Sequence, residues 1–92
     1  MELGSGLVLS SGALTINATA QQICPRRNRR SWVTLLNNDS EVTIYVNSYS
    51  DVTVNTGMPI LPGTSYTFEK YNDHIYAICS SDTANLRWIE VD

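Results

Sequence analysis

Residues 30–47 read RSWVTLLNNDSEVTIYVN, two apolar segments separated by a cluster of turn formers, and this stretch decides the fold class. In the second segment Val42, Ile44 and Val46 share one side of an extended chain while Thr43 and Tyr45 share the other, because successive side chains of a strand point to opposite faces. The first segment, Trp32-Val33-Thr34-Leu35-Leu36, is apolar on both faces, which suits a strand covered on two sides. Between them Asn37-Asn38-Asp39-Ser40 predicts a hairpin loop.

The same grammar extends outward in both directions. Short β-branched and aromatic runs alternate with turn clusters, and no stretch keeps a helical period. Strands are expected at 13–19, 21–24, 30–37, 41–47, 51–54, 64–70, 74–80 and 85–91, with the run Ile75-Tyr76-Ala77-Ile78-Cys79 apolar on both faces and therefore central. Tyr66 and Phe68 form another same-face pair. Pro62-Gly63 suits the middle of a type II turn, and Asn72-Asp73 and Ser80-Ser81-Asp82 suit two more. Seven to eight short strands predict an all-β fold, a small antiparallel sandwich or barrel, over residues 13–92. Residues 1–12, with their glycines and serines, predict a flexible N-terminal arm.

Ninety-two residues make one domain with a thin core, since a chain this short buries only about 60–65% of the surface its unfolded form exposes. Association with a partner would add to that core. Hydrophobic residues at 42% and charged residues at 16% exclude a disordered chain. No segment approaches a membrane span, and the N-terminal run lacks the basic start and continuous apolar core of a signal peptide.

Net charge is −3, yet Arg26, Arg27, Arg29 and Arg30 crowd into five positions, and removing those four charges leaves −7 for the remainder. An acidic body with one basic loop argues against a general nucleic-acid binder, which spreads cations over a face. The cluster reads as a solvated loop, a docking contact for an acidic protein surface, or a contact to a few phosphates. Of these, partner docking is the functional assignment for the four arginines.

Catalytic chemistry finds no foothold. One histidine, His74, stands where a turn enters a strand, and there is no nucleophile elbow, phosphate loop or metal-ligand spacing. No catalytic residue, metal ligand or cofactor is expected. The triplets Asn17-Ala18-Thr19 and Asn38-Asp39-Ser40 match the glycosylation sequon, as chance allows in a chain rich in Asn, Ser and Thr. Cys24 and Cys79 predict two buried, mostly reduced thiols, with one bridge between them as the alternative. The five tyrosines, Tyr45, Tyr49, Tyr66, Tyr71 and Tyr76, with Trp32 and Trp88, could pack in cores and interfaces or form a platform for sugar rings.

From Gln22 to Val91, about three quarters of the chain, the sequence resembles the small β-rich domains of tailed-phage virion proteins: capsid decoration proteins, head fibres and some tail-associated proteins. The resemblance is carried by Asn28-Arg29-Arg30 leading into the Trp32 to Leu36 strand, by Asn37 or Asn38, and by Ile44-Tyr45-Val46. It continues through the run Gly57-Met58-Pro59-Ile60-Leu61-Pro62-Gly63-Thr64-Ser65, then Ile75-Tyr76-Ala77-Ile78 and the closing Thr83-Ala84-Asn85-Leu86-Arg87-Trp88-Ile89-Glu90. It implies a virion structural protein, assembled in the host cytoplasm, that binds the major capsid protein or another virion protein and associates with itself, as a trimer, with the arm helping to anchor copies. The alternative it implies is a carbohydrate-binding adhesion module of a tail or head fibre.

Overall fold

The computed structural model describes residues 9–24, 31–69, 73–80 and 82–91, and Leu9 in its backbone only. They form eight strands: β1 (Leu9–Ile16), β2 (Gln21–Cys24), β3 (Trp32–Asn37), β4 (Ile44–Asn47), β5 (Met58–Ile60), β6 (Ser65–Glu69), β7 (Ile75–Cys79) and β8 (Ala84–Val91). These make two four-stranded sheets, one in the order β1-β8-β3-β6 and the other in the order β2-β7-β4-β5, with every pairing antiparallel. The all-β sandwich expected from the alternation is the observed fold.

The pairings have a simple logic: β1 lies beside β8, β2 beside β7, β3 beside β6 and β4 beside β5. The chain therefore behaves as one long hairpin, with its tip between β4 and β5, rolled so that its two arms become two stacked sheets. Eight strands wound this way constitute a jelly roll. Only the β4–β5 connection stays within a sheet; every other one crosses the sandwich.

This corrects one reading of the sequence. Residues 37–40 do not close a hairpin, because β3 belongs to the first sheet and β4 to the second. Asn37 makes the corner instead. Its side chain is fully buried and its Nδ2 donates to the carbonyls of Val42 and Ile60, each at 2.8 Å, while its Oδ1 accepts the Asp39 N–H at 3.1 Å. Asp39 continues the corner, its Oδ2 accepting the N–H groups of Glu41 at 2.9 Å and Val42 at 2.7 Å. Those donors, Glu41 foremost, hold the Asp39 carboxyl below the usual aspartate range.

The core lies between the sheets. Ile16, Val33, Leu35, Ala84 and Leu86 face inward from the first, and Ile23, Cys24, Ile44, Val46, Ile60, Ile75, Ala77 and Cys79 from the second. Ile44 and Val46 are alternate positions that the sequence pattern selects, while Val33 and Leu35 are the inward residues of a run that reads as apolar on both faces. β7 is central in its sheet, with Tyr76 and Ile78 half-buried on the outer face. In β2 a bulge between Gln22 and Cys24 resets the alternation, so that adjacent residues Ile23 and Cys24 both turn inward. Gly12 of β1 faces Trp88 of β8, and a Cβ there would lie 2.7 Å from the indole Cζ2.

Two strand assignments differ from expectation. Residues 51–54 form a turn, and Met58–Ile60 form β5 despite Pro59. The turn is held by Thr53, whose carbonyl accepts the N–H groups of Thr56 at 3.2 Å and Gly57 at 2.8 Å. β5 tolerates its proline because it is an edge strand, where a missing N–H removes no ladder bond. The arm expected at residues 1–12 overlaps β1, for Leu9 to Gly12 already pair with β8; residues 1–8 lie outside the described residues. Pro62-Gly63 does form the expected turn, with Gly63 at φ 74° and the Thr64 N–H bonded to the Leu61 carbonyl at 3.1 Å.

Candidate functional site

An open sandwich has four edges, and each edge strand exposes a row of backbone donors and acceptors unless something blunts it. The second sheet is blunted on both sides. β5 has three residues with Pro59 in the middle, and β2 has four with a bulge. Among the described residues the strands at the edges of the first sheet contain neither a proline nor a bulge. β1 runs eight residues in unbroken register with β8, and β6 runs five in unbroken register with β3.

β6, Ser-Tyr-Thr-Phe-Glu, is the more exposed of the two and is rich in strand formers. Its inner side is stiffened by Tyr66 against Phe68, ring centroids 4.8 Å apart in an edge-to-face arrangement, yet Tyr66 remains 45% exposed. On the outer side the Thr34 and Thr67 hydroxyls bond at 2.7 Å, tying β6 to β3. The Asn37 N–H bonds the Thr64 carbonyl at 2.9 Å, and counting alternate pairs from there, Tyr66 and Phe68 bond back to β3. Ser65, Thr67 and Glu69 accordingly aim their backbone groups away from the sheet.

The outer face of the same sheet is partly apolar. Trp32 and Ile89 are 46% and 40% exposed, and beside them a shallow depression of about 360 Å³ is lined by Thr34, Leu36, Ser65, Arg87, Trp88 and Ile89.

The residues singled out from the sequence distribute as follows. Arg26, Arg27, Arg29 and Arg30 lie outside the described residues, as does Tyr71. The remaining aromatics do not converge on one platform. Trp32 faces outward from the first sheet, and Trp88 inward against Gly12. Tyr45 and Tyr76 alternate with inward-facing neighbours on the second sheet, Tyr76 donating its hydroxyl to Gln22 Oε1 at 3.2 Å, while Tyr49 stands 67% exposed on the β4–β5 loop. His74 precedes β7, its backbone N–H bonded to Asp73 Oδ1 at 2.7 Å.

Both cysteines are buried thiols outside any disulfide, as expected. Cys24 pairs with Ile75 and Cys79 lies four residues further along β7, about 13 Å away at strand rise, so the two cannot bridge to each other. The Cys79 thiol donates to the carbonyls of Ile16 and Asp82, each at 3.4 Å. Sequence reasoning missed Glu90, which is buried on the inner face; its parity with Leu86 along β8 is the signal that places it there.

No family model and no curated protein matches the chain. Among solved structures it is similar to a chain from the work titled "Bacillus endospore appendages form a novel family of disulfide-linked pili", with a TM-score of 0.56 and 15% identity, over 92% of this chain and 86% of that one. The likeness is one of fold. The resemblance to tailed-phage virion domains, with its capsid partner and its trimer, finds no counterpart in these comparisons.

Proposed function

We propose that this chain is a non-catalytic structural subunit that assembles with copies of itself, β6 of one copy adding to β1 of the next. The observation that carries the reading is the contrast between edges: the second sheet is blunted by a proline and a bulge, while among the described residues both edge strands of the first keep an unbroken register with neither device. Topology supplies the direction. Three antiparallel steps separate β1 from β6, so the two edge strands run opposite ways. Copies stacked in one orientation therefore meet as an antiparallel pair. Such a contact joins two different surfaces, so it repeats from copy to copy instead of closing on a two-fold dimer, and it builds a filament where the rotation between copies does not close a ring. The fold shared with a pilus protein agrees with this use of the surface.

Because Cys24 and Cys79 are buried, the contact in this chain is hydrogen-bonded rather than built from those thiols. Attachment to a virion through Arg26, Arg27, Arg29 and Arg30 is the narrower form of the assembly role and rests on sequence alone.

The test is Thr67→Pro. Proline there removes an outward N–H and leaves the bonds to β3 in place, at the cost of the Thr34 hydroxyl contact. Sedimentation velocity and negative-stain microscopy should show assemblies of the parent growing with concentration and a variant that stays monomeric with the parent's circular dichroism. A parent that remains monomeric at its solubility limit would refute the proposal, as would a folded variant that assembles equally well.

A further inference from the structure

We propose that the chain binds small phenols in a pocket between its two sheets. At the end of the sandwich, under Phe68 of β6, a cavity of about 270 Å³ is lined by Val46, Asn47, Ser48, Thr56, Met58, Phe68 and Ile75. Its walls and its rim differ in chemistry. Val46 and Ile75 are core residues, and Met58 and Phe68 pack against that core, so the interior is apolar. Ser48, Thr56 and Asn47 bring hydroxyl and amide groups to the same space.

The walls are held apart. Phe68 is braced edge-on by Tyr66. Across from it the Asn47 side chain donates to the Thr56 carbonyl at 3.2 Å and accepts the Ser48 N–H at 2.7 Å. The Thr53 N–H bonds Thr56 Oγ1 at 2.9 Å, and Gly57 is packed so closely that an added Cβ would come within 2.8 Å of Tyr45 Cβ and 2.9 Å of Val52 Cγ2. These contacts tie the loop between β4 and β5 to itself and to the neighbouring residues Tyr45 and Val52. The pocket is open to solvent on one side, so an aromatic ring entering it removes apolar wall surface from water. A phenol fits both parts: its ring meets the apolar walls and its hydroxyl reaches the rim, whereas a sugar would leave most of its hydroxyls without partners.

The probe is p-cresol, with toluene and glucose as comparators, titrated into the full chain and followed by methyl chemical shifts of Val46, Met58 and Ile75 and by thermal denaturation. The expected result is saturable binding of p-cresol on the order of millimolar, as suits a ligand of so few atoms. Toluene should bind about 2- to 10-fold more weakly for want of the rim hydrogen bond, and glucose not at all. Ser48→Ala should narrow the gap between p-cresol and toluene, and Met58→Phe should abolish both. The proposal is overturned if p-cresol leaves those methyl signals unmoved in the parent protein, if glucose moves them equally, or if a folded Met58→Phe variant binds as the parent does.

Discussion

Asn37→Ala is the substitution that most directly examines how the two sheets are joined. The Asn37 side chain is fully buried, and through it β3 of one sheet holds the Ile60 carbonyl of the other together with the corner at Val42 and Asp39. Truncation leaves all three partners without that bond. The Ile60 contact is buried, so its carbonyl would bear a desolvation cost of about 1–3 kcal/mol. The Val42 and Asp39 contacts are part-buried and water can reach them, at about 0.5–1.5 kcal/mol each. The expected loss is therefore about 2–6 kcal/mol, against a total of about 5–14 kcal/mol for a domain of this length. Urea denaturation at a concentration where the chain is monomeric should show a lower midpoint with an unchanged slope. Asn38→Ala is the comparator: its amide makes an exposed 3.3 Å bond to Asn85, and its loss should stay within about 0.5 kcal/mol. Asn37→Asp adds a second reading of the same geometry, because it turns a donor toward two carbonyls into an acceptor. Its carboxyl should titrate high in the folded state, and the stability it costs at neutral pH should return as pH falls and the group is protonated. The reasoning fails if Asn37→Ala and Asn38→Ala lose the same small amount.

Gly12→Ala should destabilise by about 1–3 kcal/mol and change the tryptophan emission, since the new Cβ meets the Trp88 ring at 2.7 Å; an unaltered midpoint and spectrum would count against the packing described. Cys24 and Cys79 should resist alkylation in the folded chain and take two labels on unfolding without reductant, measured by intact mass. Burial foremost, then the charges of Asp39 and Asp82, holds the Cys79 thiol above its ordinary range. Its contribution is thus complete below the ordinary thiol pKa, about 8.5, and is lost as pH rises through the higher folded value, a dependence that Cys79→Ala should flatten. Asp39 acts in the opposite sense: held low by the Glu41 and Val42 N–H groups, it contributes above the ordinary aspartate pKa of about 3.9 and loses that contribution as pH falls through its lower folded value. Acid titration of Asp39→Ala beside the parent should show the parent's extra loss in that window.

How far the fold could be read from the chain depends on the range over which each signal acts. Both signals are local: alternation located the strand containing Ile44 and Val46, and short continuous apolar runs located those containing Val33 and Leu35 and Ile75 and Ala77. The same local reading misassigned residues 51–54, where Val52 and Val54 carry strand propensity but the Thr53 carbonyl and the Thr53 and Thr56 hydroxyls offer the backbone other partners. It passed over Met58–Ile60 because proline weighs against a strand unless that strand is known to be an edge. Edge status is a property of the assembled sheet and is not written in three residues.

The corner at 37–40 shows the same limit on a larger scale. Asn37-Asn38-Asp39-Ser40 has the composition of a hairpin, and side-chain capping of backbone groups is what Asn37 and Asp39 do there. Whether the next strand returns beside β3 or crosses to the other sheet depends on contacts distant in sequence, such as the bond from Asn37 to the Ile60 carbonyl 23 residues away. The candidate interface depends on that choice. Had β4 folded back along β3, it would have taken one of the two flanks that β8 and β6 now hold, and the order that leaves β6 as a border strand would be different. A single buried asparagine thus links the topology of the sandwich to the edge through which it is proposed to assemble.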